Sequence, residues 1–153
     1  MNHLKALFLV GMASFFLSAC DGFGGYPSAE FPLSSGQTLQ WQEMEGEWVL
    51  VNYWAEWCKP CFEEIPELNA LNELEGIRVL GVNFDNEQGE ALRALVERMG
   101  IEFEVLAEDP GPRFEWQRPL ALPATMVVNP EGALTEARFG KQTKEELQSL
   151  MVQ

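Results

Sequence analysis

The sequence predicts an α/β fold, a central mixed β-sheet with helices on both faces. Three observations carry that expectation. The apolar run Trp48-Val49-Leu50-Val51-Asn52-Tyr53-Trp54 reads as a buried strand and passes at once into a segment of helical period. A second run, Ile77 to Phe84, leads into a second helical segment. The last third carries two strand-like runs joined by the turn Asn129-Pro130-Glu131-Gly132, an antiparallel hairpin, followed by a helix.

The elements follow in order. Met1 to Lys5 is weakly basic, Ala6 to Phe16 is apolar apart from Gly11 and Ser14, and Leu17-Ser18-Ala19-Cys20 follows. That is the layout of a secretory signal peptide. The apolar run falls short of the about 20 residues a membrane-spanning helix needs. A buried N-terminal helix would carry polar residues on one face, and this run carries almost none. Residues 1–19 are therefore expected to be removed, 20–29 to form a glycine-rich flexible tether, and 30–153 to form one domain. Phe31-Pro32-Leu33 and Thr38-Leu39-Gln40-Trp41 flank a turn and suggest a hairpin. From Lys59 the stripe Phe62, Ile65, Leu68, Leu71 and Leu74 predicts a helix, bent by Pro66 and closed by Gly76. Glu87 to Met99 predicts a helix with Ala91, Leu92, Leu95 and Val96 inward, stopped by Gly100. Phe103 to Leu106 is a short strand, and Pro112 to Arg118 one or two helical turns. Thr125–Val128 and Ala133–Phe139 form the hairpin, and Thr143 caps a last helix with Leu147, Leu150 and Met151 facing the sheet.

Without residues 1–19 the chain has 24 acidic and 9 basic side chains, a formal charge of −15, and no histidine. A surface this acidic repels phosphate backbones and excludes nucleic acid as a partner. It also repels anionic headgroups, so membrane attachment has to come from a lipid. Leu17-Ser18-Ala19-Cys20 resembles the lipobox of bacterial lipoproteins, which implies that Cys20 becomes the lipidated N-terminus. That leaves Cys58 and Cys61 for chemistry.

Two cysteines three apart, at the first turn of a helix, have sulfurs close enough to bond. Cys58 lies where backbone N–H groups point outward and the helix dipole is positive, which favours the thiolate. Lys59 adds a positive charge, Pro60 stiffens the ring, and Glu56 partly offsets Lys59. Cys61 is one turn deeper and less exposed. Cys58 then attacks a substrate disulfide and Cys61 resolves the mixed disulfide. A structural disulfide closing so short a loop adds little stability. A zinc site needs about four ligands, which two cysteines without histidine do not supply. No cofactor is called for.

Trp57-Cys58-Lys59-Pro60-Cys61-Phe62-Glu63-Glu64-Ile65-Pro66 fits W-C-x-P-C-x-x-E-x-P at every fixed position. It resembles thioredoxin-like proteins, the TlpA/ResA branch in particular, over about residues 30 to 150. The resemblance implies a thioredoxin-like fold and a redox-active Cys58–Cys61 disulfide. It implies that Leu122-Pro123 is a cis pair lying against the dithiol, and that Trp57, Pro60, Leu122 and Pro123 contact the bound peptide. It implies that Glu64 accepts a proton near the buried cysteine. One turn past Cys61, a carboxylate in poor solvent has a raised pKa suited to that role, the alternative being an ordinary surface glutamate beside Glu63 and Glu67. The branch leans towards monomeric, membrane-tethered extracytoplasmic reductases of protein disulfides, supplied by a DsbD- or CcdA-like membrane donor and serving cytochrome c or oxidase maturation. Asp21 after Cys20 matches retention at the inner membrane, facing the periplasm where an outer membrane exists. The motif does not write the direction of electron flow: an oxidase or isomerase on the same scaffold, or a binding or chaperone module without turnover, are the alternatives.

Overall fold

The structure, a computed structural model, describes residues 27–151. The expected signal peptide, Cys20 and most of the expected tether lie outside the described residues. The strands are β1 (Glu30–Pro32), β2 (Thr38–Gln40), β3 (Trp48–Trp54), β4 (Ile77–Asn83), β5 (Glu104–Leu106), β6 (Ala124–Val128) and β7 (Leu134–Phe139). The helices are α1 (Lys59–Asn72), α2 (Gly89–Met99) and α3 (Lys144–Leu150), and 3-10 turns cover Trp41–Met44 and Gly111–Arg113.

The five-stranded sheet has the order β5-β4-β3-β6-β7. β3 pairs parallel with β4, and β4 with β5, while β6 runs antiparallel to both β3 and β7. The sheet is mixed and β3 is central, as its apolar run predicts. β1 and β2 make the expected hairpin. That hairpin leans on the β5 edge: Leu33 bridges Leu106, Ser34 N donates to Val105 O at 2.8 Å, and Ala107 N donates to Pro32 O at 2.8 Å. At the other edge, no described strand pairs with the outer side of β7.

The two faces are covered unequally. Leu50, Trp54, Val79, Val105 and Val127 meet side chains from all three α-helices: Ile65, Leu68 and Leu71 of α1, Leu92, Leu95 and Met99 of α2, and Leu147 of α3. The physical reason is topological. The crossovers β3-α1-β4 and β4-α2-β5 step the same way across the sheet, and right-handed crossovers in one direction put both helices on one face. Val49, Val51, Tyr53, Leu80, Val82, Met126 and Val128 face the other way. Their helical cover is only the 3-10 turns, completed by Phe31 and Leu39 of the hairpin and by Phe114 and Trp116. Trp41 is the centre of that cover, 5.5 Å from Phe31 and 4.7 Å from Phe114 between ring centroids.

Helix faces differ from the expected stripes at two positions. In α1 the buried residues are Cys61, Glu64, Ile65, Leu68 and Leu71, while Phe62 is 41% exposed. In α2 Ala91 is exposed and Met99 takes the inward place. Both displaced residues lie at the margin of an apolar stripe, where a small rotation about the helix axis decides burial. α1 runs unbroken through Pro66 and ends at Asn72, earlier than Gly76 suggests. Leu74 still packs against the core from the turn that follows. α2 ends where expected, on left-handed Gly100 with φ 70°.

Candidate active site

β3 ends at Trp54, and Ala55-Glu56-Trp57 turns the chain into α1. Cys58 occupies the N-cap with extended backbone (φ −87°, ψ 94°), Lys59 and Pro60 open the helix, and Cys61 N donates back to Cys58 O at 3.0 Å. The first-turn N–H groups have no side-chain cap. Cys58 thus stands at the positive end of the helix dipole, beside N–H groups that no side chain caps. Cys58 and Cys61 form a disulfide with Cα atoms 5.3 Å apart. Cys58 is 4% exposed and Cys61 is fully buried, so of the two residues only Cys58 keeps any contact with solvent. Glu56 does not oppose Lys59 unaided: its carboxylate pairs with Arg98 of α2 at 2.9 Å.

Glu64 is fully buried one turn below Cys61. Its Oε1 accepts from Asn52 Nδ2 of β3 at 2.6 Å, and its Oε2 accepts from Gln142 N at 3.1 Å. Burial pushes its carboxyl up to about 7, against the lowering effect of those two donors and of Lys141. Asn52 Nδ2 also donates to Thr125 Oγ1 of β6 at 3.1 Å, which fixes the amide between strand and helix. Sequence reasoning missed Asn52, Thr125 and Gln142 as site residues. For Asn52 a signal existed, since it is the one polar residue in the β3 run.

The Leu122–Pro123 bond is cis. Pro123 is buried, and its carbonyl accepts from Gly140 N at 2.9 Å. The pairing of Tyr53 with Ala124 puts Pro123 next in register to Trp54, at the sheet end from which the dithiol loop leaves. Leu122 packs against the cluster that contains both cysteines. Pro60 is exposed on the helix's first turn.

Trp57 is 65% exposed yet held in place. Its indole N–H donates to Asp85 at 2.9 Å, and its ring meets Phe84 edge-on at 6.2 Å. Arg118 lies over the other side of this contact, 4.2 Å from the Phe84 centroid, and donates to Phe84 O. Arg118 also pairs with Asp109 at 3.9 Å, and Asp109 accepts from Tyr53 Oη at 2.7 Å. Burial, then Asp109, pushes the Tyr53 phenol up, so it stays a donor. This chain of contacts ties the segment leading into Leu122-Pro123 to the rim of the dithiol. None of Asp85, Asp109 or Arg118 stands out in the sequence. Among the described residues no group of three His, Cys, Asp or Glu side chains could hold a metal, and no helix is long and apolar enough to cross a membrane.

The chain is similar to known proteins in sequence and in fold. A model of the AhpC/TSA family matches residues 25–137, a span that holds both cysteines, Glu64 and Leu122-Pro123. The chain is 34% identical over 120 residues to a thiol:disulfide interchange protein DsbE of Allochromatium vinosum, covering 74% of this chain and 65% of that one. It is 29% identical over 120 residues to the thiol-disulfide oxidoreductase ResA of Bacillus anthracis, covering 76% and 68%. Among solved structures, StoA of Bacillus subtilis superposes with TM-score 0.64 at 17% identity, over 82% of this chain and 97% of that one. The exposed lipoprotein thioredoxin Etrx1 of Streptococcus pneumoniae gives 0.68 at 22%, over 81% and 97%. The chain therefore belongs to the AhpC/TSA family, with a thioredoxin-like fold, and is a thiol–disulfide oxidoreductase.

Proposed function

We propose that this oxidoreductase reduces disulfides of extracytoplasmic proteins while held at the membrane by lipid on Cys20. Residues 1–19 are the signal peptide, 20–29 the tether and 30–153 the catalytic domain. The observation that carries the redox reading is the Cys58–Cys61 disulfide across the first turn of α1, in which only Cys58 keeps any solvent exposure. In the forward reaction the Cys58 thiolate attacks one client sulfur, and the other client sulfur leaves and takes up a proton. Glu64 accepts the Cys61 proton, the Cys61 sulfur attacks Cys58 Sγ, and the client sulfur bound to Cys58 leaves and takes up that proton from Glu64. The client gains two electrons and two protons, and the enzyme is left as the disulfide seen in the structure. Trp57, Pro60, Leu122 and Pro123 line the place where the client backbone lies. A dithiol of a DsbD- or CcdA-like membrane protein restores the reduced enzyme, and apo-cytochrome c or an oxidase subunit is the kind of client served. Support for reduction as the direction comes from the TlpA/ResA pattern.

The test is insulin reduction by the wild type and by Cys58→Ser. The wild type is expected to reduce insulin with a thiol donor, and Cys58→Ser to lose turnover entirely. Persistence of turnover in Cys58→Ser would overturn the assignment of the nucleophile. A measured potential near about −120 mV, that of a strong oxidant, would reverse the direction. Incorporation of labelled fatty acid, lost in Cys20→Ser, checks the anchor.

A further inference from the structure

Five large apolar side chains are exposed among the described residues: Trp57, Phe62, Leu120, Leu134 and Phe139. Trp57 and Phe62 flank the two cysteines in sequence. The other three line a single groove of about 450 Å³ on the face of β6 and β7 opposite the α-helices. Its floor is the cross-strand pair Met126 and Ala137, and Trp116 forms one wall. Leu120 is 100% exposed, so the fold gains nothing from its apolar surface.

The groove adjoins the cis-proline segment of the redox site. Leu120 stands two residues before the cis bond between Leu122 and Pro123. Phe139 pairs with Ala124, the residue after Pro123, and Gly140 N is bonded to Pro123 O. The groove thus begins next to Pro123, the residue in register with Trp54 at the end of the strand that leads to Cys58.

We propose that the groove seats an extended apolar segment of the client polypeptide, adjacent in the client to the cysteine that Cys58 attacks. This rests on the reading of protein disulfides as substrates and adds the class of client: one whose cysteine is followed or preceded by large apolar residues. Size argues against a second copy of this chain, because eleven residues line the groove whereas a stable interface takes about 20–30 a side. Charge argues the same way. Two copies, each with a formal charge of −14 over the whole sequence, repel each other, as does an anionic membrane. The volume is that of a pocket for a few side chains. Glu115 and Arg118 at the rim carry opposite charges, so the groove selects for apolarity over charge. The open outer side of β7 lets a chain run past it.

The experiment uses full-length protein, reduced beforehand, in wild-type and Leu120→Gln forms. Each is offered a peptide disulfide with leucine and phenylalanine beside the cysteine, the same peptide with serines there, and the small neutral bis(2-hydroxyethyl) disulfide. Leu120→Gln is expected to raise KM for the apolar peptide about tenfold, the effect of leaving one leucine contact unmade. The serine peptide and the small disulfide should be reduced equally by both proteins. Equal KM values for the apolar peptide in both proteins would overturn the groove while leaving the redox reading intact. An equal fall on all three substrates would also overturn it, by placing the effect at the dithiol. So would a wild-type dimer that Leu120→Gln dissociates, or vesicle binding that it abolishes. Failure of the wild type to reduce any of the three substrates would overturn the redox reading and the groove with it.

Discussion

At position 64 a carboxyl group sits where water does not reach, and its proton affinity is the result of opposed effects. Burial raises its pKa from 4.5 to about 7, while Asn52, Gln142 N and Lys141 restrain the rise. Near neutrality both protonation states are populated, which suits a group that takes a proton from Cys61 and gives it back. The same shift links stability to pH. Between 4.5 and about 7 the folded chain holds a proton that the unfolded chain has lost, so stability is greatest below 4.5 and falls as pH rises through about 7. At about 1.36 kcal/mol per unit the loss reaches about 3 kcal/mol. In the oxidised protein, where the cysteines do not titrate, the urea midpoint is expected to fall over this range. Glu64→Gln should remove that fall, and a slope that survives in the variant would show that another group causes it. As residue types Glu63, Glu64 and Glu67 are alike, and in the sequence the family pattern alone picks out Glu64. In the structure the helix phase separates them: Glu63 reaches the surface Lys141 at 3.1 Å, Glu67 accepts from Lys144 N at 3.1 Å, and Glu64 points inward between Cys61 and Leu68. The spacing of the cysteines is local and legible, whereas the partners that make Glu64 a buried acid come from positions 52 and 142.

Those three carboxylates together hold one segment, residues 141–144, against α1. The segment delivers Gln142 N to Glu64 and then starts α3, whose seven residues are too few for a helix to stand alone. Its start is secured by a capping box: Glu146 N donates to Thr143 Oγ1 at 3.2 Å and Thr143 N donates to Glu146 Oε2 at 2.8 Å. Thr143→Ala is expected to cost about 1 kcal/mol, read as a lower urea midpoint with an unchanged m-value. A midpoint within error of the wild type would mean that packing of Leu147 alone fixes the helix. This cap was legible because a threonine followed three residues later by glutamate is a local pattern. The inward face of α1 was less so. Phe62 is the larger apolar residue, yet Cys61 and Glu64 take the inner positions because they share a face with Ile65 and Leu68 at helical spacing.

Across the whole molecule, stability and chemistry occupy different places. The α-helical face has periodic cover and could be read from sequence stripes. The opposite face is covered by a hairpin, two 3-10 turns and an irregular segment, none of which has a period to read. Trp41 is the case in point. It looks like the end of a short strand, yet it is 1% exposed and lies within 6.0 Å of Trp116 as well as against Phe31 and Phe114. Its loss would open a cavity between the N-terminal hairpin and the segment that leads to Leu122-Pro123. Trp41→Ala is therefore expected to cost about 3–5 kcal/mol in urea unfolding. Trp57 has the same side chain beside the reactive sulfur but is 65% exposed, and its bond to Asp85 lies at the surface. Trp57→Ala is expected to move stability by no more than about 0.5 kcal/mol while slowing insulin reduction. Matching losses of stability in the two variants would show that the dithiol rim is part of the folding core, and that the two roles are not separated in this chain.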